Sequence, residues 1–232
     1  MTASGKGDRV EWIDAVRGAA IGLVVFGHVL GGILARNWLA SNGPWRGVYD
    51  FIYLFHMPVF FMISGLLLAD AAKARPAEAL LSRVGSILWP YLLWDVMIRW
   101  ALLPYIGRFM STPPGDIGIG ELMLRAATGE LSWFFWTFFL VQAIFIALVL
   151  VRIPVIVIFL ASIAAAIVLV DAKIGTLQNL ADFMPFLAFG ALLRPYSEKL
   201  RIEGRVATLI AAVAAFAAIA LAVGQEWTSI RP

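Results

Sequence analysis

The first apolar run of the chain, WIDAVRGAAIGLVVFGHVLGG, carries three ionisable residues: Asp14, Arg17 and His28. Asp14 and Arg17 are three apart, a spacing at which helical neighbours form ion pairs. From Arg17 to His28 is eleven residues, close to three turns and about 16 Å of helical rise, so both lie on one face with His28 the deeper. A guanidinium fork matches phosphate geometry, and a neutral imidazole takes up a proton near pH 7. That face suits a long anionic cofactor whose phosphates rest on Arg17 while its reactive end reaches His28. Without a ligand, the same residues read as a rim anchor at Arg17 and a polar group satisfied by a neighbouring helix at His28.

Two further runs carry charges or imidazoles. In DFIYLFHMPVFFMISGLLLAD, His56 lies about 9 Å inward of Asp50 by helical rise and is followed by Pro58, which frees a carbonyl and permits a kink. His56 can bind an acceptor hydroxyl or hydrogen-bond across helices. Ser64-Gly65 lets a second helix approach closely. The third run begins at Arg83, passes Trp89-Pro90-Tyr91 and reaches Asp95 and Arg99, four apart and able to neutralise each other. Arg83 stands at the inner rim like Arg17, and two arginines at one mouth seat phosphate better than one. Trp133 and Trp136, opening a fourth run, read as an interfacial belt.

The composition says what kind of element must hold these residues. Of 232 residues, 62% are apolar and 14% charged, and the mean hydropathy is +0.88. A soluble domain has about 45–50% apolar and about 25% charged residues. The balance excludes an ordinary cytosolic enzyme, a disordered chain and a collagen-like repeat, and leaves an all-α polytopic bundle in the lipid bilayer. The absence of cysteine excludes disulfides and thiolate metal sites. A net charge of +3 comes from basic residues scattered between apolar runs, which reads as membrane topology rather than nucleic-acid binding.

A spanning helix needs about 20 mostly apolar residues. Seven runs approach this, near residues 16–35, 48–69, 81–103, 133–151, 153–170, 180–193 and 206–224. The sixth is short, and only Arg152-Ile153-Pro154 separates the fourth from the fifth. The first run is too long for a signal sequence, lacks a small-residue cleavage site and is followed by further spans. Lys6, Arg9, Arg17, Lys73, Arg75 and Arg83 fall on the same side, which places the N-terminus in the cytoplasm and residues 1–12 in a cytoplasmic tail. The stretch 104–132, broken by Pro113-Pro114-Gly115, is too short for a separate domain. A transporter uses similar intramembrane charges, but it predicts inverted repeats that the two halves do not display; a structural subunit predicts charged groups that tolerate replacement.

Five stretches, in order, resemble the acyltransferase-3 family of multispan membrane acyltransferases: WIDAVRGAAIGLVVFGH, FHMPVFFMISGLLLA, LLSRVGSILWPYLLW, LSWFFWTFFLVQ and FMPFLAFGALLRPY. The family moves acyl groups, commonly acetyl, onto carbohydrates and related surface molecules. The resemblance implies an acyl-CoA donor, acetyl-CoA above all, entering from the cytoplasm, no metal, and residence in a bacterial inner membrane. The family's arginine-x10-histidine element falls on Arg17 and His28, with His28 as the catalytic residue and Asp14 as support for Arg17. The arginine element of the third span falls on Arg83. Many members have two arginines three apart there, whereas this chain has Leu80 and Ser86 at the flanking positions. His56 and Asp95 line the implied acceptor route. Members also carry more spans, so residues 1–232 are expected to form one integral-membrane domain that is C-terminally incomplete.

Overall fold

In a computed structural model, residues 11–40, 43–106, 118–170 and 175–196 are described. They form seven helices, and no strand is found among them. The chain divides into two compact units, Met1–Ile63 with Pro195–Pro232, and Ser64–Arg194. Among the described residues, three helical stretches are long and apolar enough to cross a membrane: Arg17–Ala35, Pro44–Ala74 and Trp133–Leu150. The seventh predicted run, 206–224, lies outside the described residues.

The first unit contains α1 (Glu11–Ala35) and the first part of α2 (Pro44–Ala74). Asn37 ends α1 with a left-handed φ of 58°, which turns the Asn37 and Trp38 N–H groups back onto the Leu34 and Ile33 carbonyls at 3.0 and 3.2 Å. Proline opens α2, where its missing N–H costs nothing. Pro76 closes it by disfavouring helical geometry at Arg75. At 31 residues α2 rises about 46 Å, more than the roughly 30 Å hydrocarbon core, so its ends extend past the apolar layer.

The second unit continues along α2 from Ser64 and adds α3, helical over residues 76–106. Two wide π segments, Val84–Leu88 and Leu92–Ile98, flank the short α-helical piece Trp89–Tyr91. Pro90 explains them. It lacks the N–H that an α-turn needs, and its ring crowds the preceding turn, so the helix widens on both sides. Asp95 lies in the second π segment and is buried.

Tyr91 anchors the packing of this region. Its buried ring joins Val96, Leu122 and Ala126, and its hydroxyl donates to the Ala126 carbonyl at 2.8 Å. Leu122 and Ala126 belong to α4 (Ile119–Thr128), a 10-residue amphipathic helix absent from the predicted spans. Gly129 caps α4 at φ 79°, and the Trp136 ring lies against it where a β-carbon would stand. Trp136 therefore packs against the end of α4, while Trp133 stays exposed and stacks on Phe183 at 5.8 Å. Tyr91→Phe is expected to cost about 1 kcal/mol, the net worth of one hydrogen bond. That is a fall of about 2–4 °C in the unfolding temperature for a chain of this size, measurable by thermal unfolding in detergent.

The unit is completed by α5 (Trp133–Leu150), α6 (Val155–Val168) and α7 (Thr176–Leu193), followed by a short 3₁₀ turn, Arg194–Tyr196. The break predicted between α5 and α6 is present: Arg152 takes φ 64° and Pro154 caps α6. The sixth predicted run, 180–193, extends back to Thr176 as α7. Leu187, Ala188 and Ala191 of α7 are buried, and the backbone of α2 at Gly65 meets that of α7 at Leu187. Arg194 closes this end of the unit with an ion pair to Asp70 at 2.7 Å.

Candidate functional site

The first unit brings the two histidines of the chain to one tyrosine. On α1, His28 is exposed and its Nδ1 lies 2.8 Å from the Val24 carbonyl. On α2, His56 is buried and its Nδ1 lies 2.6 Å from the Ile52 carbonyl. A carbonyl only accepts, so each Nδ1 carries the proton and each neutral ring keeps its lone pair on Nε2. For His56, that Nε2 is buried with no hydrogen-bond partner among the described residues. A buried acceptor without a donor costs about 1–3 kcal/mol, which makes this atom conspicuous in an apolar helix.

Tyr53 stands between the imidazoles. Its ring centroid is 6.1 Å from that of His28 and 4.9 Å from that of His56, which it meets edge-on. The Tyr49 ring packs tilted against Tyr53 at 4.3 Å, and the Arg46 guanidinium lies over Tyr49 at 5.6 Å while pairing with Asp50 at 3.0 Å. Residues 46, 49, 53 and 56 follow a 3-4-3 spacing and form one stripe of α2.

Glycines on α1 make room for the stripe. A β-carbon at Gly27 would lie 3.1 Å from the Tyr53 ring, and one at Gly31 would lie 2.8 Å from the Tyr49 ring. The Gly27-x-x-x-Gly31 pair therefore forms two slots, each filled by a tyrosine. Tyr49 and Tyr53 escaped the sequence reading, although the 3-4-3 stripe opposite a small-xxx-small pair carries the signal for them.

Arg17 is exposed near the start of the same unbroken helix as His28. Asp14 lies in α1, but its side chain is outside the described residues, as is that of Arg99. Arg83 and Asp95 belong to the second unit, where Arg83 is half-buried at the junction of α-helix and π segment. That unit also buries Asp182 on α7, which the sequence reading passed over, and Thr137 and Gln142 on α5. No cluster of three or more metal-binding side chains occurs among the described residues.

A comparison with known families covers almost the whole chain. A family model described as an acyltransferase domain matches residues 10–229. The chain belongs to the acyltransferase-3 family. Among curated proteins, nodulation protein NolL of Sinorhizobium fredii is 30% identical over 136 residues, 58% of this chain and 35% of the relative. Nodulation protein NolL of Mesorhizobium japonicum is 28% identical over 154 residues, 65% of this chain and 37% of the relative. The matched part is thus about a third of the length of these relatives. No solved structure matches the chain. Arg17 and His28, eleven residues apart, lie on one face of α1 with both side chains exposed.

Proposed function

We propose that this protein is a membrane acyltransferase that moves an acetyl group from acetyl-CoA, on the cytoplasmic side of a bacterial inner membrane, to a hydroxyl of a carbohydrate or related surface molecule. The observation that carries the reading is the His28 imidazole. Its Nδ1–H is held by the Val24 carbonyl, so its Nε2 lone pair is the proton acceptor on an exposed face. The acyltransferase-3 match supplies the reaction class.

The residues fit the donor. The straight helical path from Arg17 to His28 rises about 16 Å, and both side chains are exposed on it. A ligand with phosphates at one end and a thioester at the other can address them from one side. Arg17 then binds the phosphates of acetyl-CoA, with Asp14 three residues away to orient it. Arg83 is a second contact for the donor phosphates in this reading. His56 and Asp95 are assigned to the acceptor, His56 through its buried Nε2 lone pair.

In the reaction, His28 Nε2 takes the proton of the acceptor hydroxyl as that oxygen attacks the thioester carbonyl. A C–O bond forms, the C–S bond breaks, and CoA leaves as a thiolate that needs no strong acid to stabilise it. The proton then passes from the imidazolium to the thiolate or to water.

Acetyl-CoA binding to the purified chain, with thermal unfolding as the folding control, tests the donor side. Arg17→Ala is expected to weaken binding by about ten- to hundredfold, the range for losing one charge-assisted hydrogen bond, and His28→Ala to leave it intact. A folded protein that binds no acetyl-CoA contradicts the proposal and favours a non-enzymatic membrane role.

A further inference from the structure

We propose that α4 is a half-embedded helix: its Ile119, Met123 and Leu124 side rests among the acyl chains of one membrane leaflet, the one reached by the Trp100 end of α3, while its Glu121 and Arg125 side stays in water. This lipid-binding surface is independent of acyl transfer and belongs to a segment that falls between the apolar runs of the sequence.

The circumference of α4 divides into three sectors. At roughly 100° per residue, and with Ile119 at zero, Leu122 and Ala126 stand at about 300° and 340°. Both are buried and cluster with Tyr91 and Val96 of α3. Ile119, Met123, Ala127 and Leu124 spread over about 0° to 140°. All four are exposed, Leu124 to 65%. Thr128, Glu121 and Arg125 fill about 180° to 240°, where Arg125 pairs with Glu121 at 2.6 Å and the two side chains stay 42% and 51% exposed. One sector is held by protein, one is apolar and uncovered by the described residues, and one is polar.

A boundary between lipid and water satisfies both uncovered sectors at once, as it does for amphipathic helices that lie on membranes. Ten residues rise about 15 Å, half of the roughly 30 Å hydrocarbon core, so α4 is too short to span it. Deeper burial, in lipid or in protein, would strip water from the Glu121–Arg125 pair, which is costly. A protein partner's interface carries about one hydrogen bond per 100–200 Å², and none of the four side chains of the apolar sector can donate one. Acyl chains ask for none. The part of α3 beside α4 marks the level: on either side of the buried Val96, Trp94, Met97 and Trp100 are all more than half exposed, and tryptophan collects where acyl chains meet water.

The chain contains no cysteine, so a cysteine introduced alone carries the only thiol label. The test is the full chain in phospholipid nanodiscs, labelled with a small environment-sensitive fluorophore at Met123→Cys, Leu124→Cys, Glu121→Cys or Thr128→Cys, with thermal unfolding to show that each variant folds. Two quenchers report the surroundings: bromine on the lipid acyl chains, and iodide in the water. Labels at 123 and 124 are expected to be quenched several-fold more by brominated lipid than by iodide, and labels at 121 and 128 to show the reverse order. Strong iodide quenching at 123 and 124 would overturn the proposal by placing the apolar sector in water. Lipid quenching at all four positions would overturn it by sinking the polar sector as well. Protection of 123 and 124 from both quenchers, with self-quenching relieved by dilution into unlabelled protein, would give the face to a second copy of the chain instead of lipid.

Discussion

Replacing His28 with Gln is expected to lower acyl transfer by about 10²–10⁴-fold, the usual worth of a positioned general base, while acetyl-CoA binding and the unfolding temperature stay near those of the wild type. Gln keeps the polarity of the position and can still donate to the Val24 carbonyl, but its amide cannot accept a proton near pH 7. Because His28 is exposed, the substitution opens no cavity and leaves no buried group unpaired. A large loss of stability is therefore not expected, and that separates catalysis from packing. A structural role predicts the reverse, turnover per folded molecule unchanged and stability reduced. The decisive quantity is kcat per acetyl-CoA-binding site, measured by radiolabelled acetyl transfer after titration of active donor sites. A well-folded His28→Gln protein that transfers acetyl at the wild-type rate would remove His28 from the mechanism.

Much of the frame was legible because lipid makes simple demands. Long apolar runs have to be helices, so α1, α2, α5 and α6 appear close to the predicted positions, and Arg152-Ile153-Pro154 breaks the chain where expected. The amphipathic α4 was hidden because ten residues containing Gly120, Glu121 and Arg125 look like a loop when hydropathy is read in windows of about 20. The π segments of α3 were hidden for another reason. Pro90 signals disturbance, but whether the helix kinks or widens depends on what Tyr91 packs against, and that partner, Ala126, lies 35 residues away.

The candidate site was legible to the same extent and for the same reason. An imidazole in an apolar run is costly, so His28 and His56 attract notice wherever they fall. Tyrosine in such a run is ordinary, and Tyr49 and Tyr53 pass for interfacial anchors until the register of α1 against α2 sets them over Gly27 and Gly31. Residues that are expensive by themselves declare their importance in the sequence, whereas residues that matter through their neighbours do so only when the helices are packed. Trp136 illustrates the second kind, since its ring occupies the space that a β-carbon at Gly129 would need.

Gly65→Ala is expected to be among the most destabilising single-methyl additions in the second unit, and the same exchange at Gly22 should have the opposite sign. Alanine is favoured over glycine in a helix by about 1 kcal/mol, so a glycine kept in a membrane helix needs a reason. Gly22 has none in its surroundings, because a β-carbon there would meet nothing within 4 Å. At Gly65 it would run into the Leu187 carbonyl oxygen, with the Leu187 carbonyl carbon 2.8 Å away and the Ala191 nitrogen at 3.1 Å. These are backbone atoms of α7, so no rotamer change relieves the clash and α7 has to move as a body. Leu187 and Ala188 are fully buried, which means that displacement disturbs packing beyond the contact itself. Overpacking of this kind costs about 1–3 kcal/mol and sometimes more. For a chain of this length that lowers the unfolding temperature by several degrees, against a small rise for Gly22→Ala. Side-by-side thermal unfolding of the two variants in one detergent cancels the effect of helix propensity. Equal stability of the two would mean that α2 and α7 do not meet backbone to backbone at Gly65.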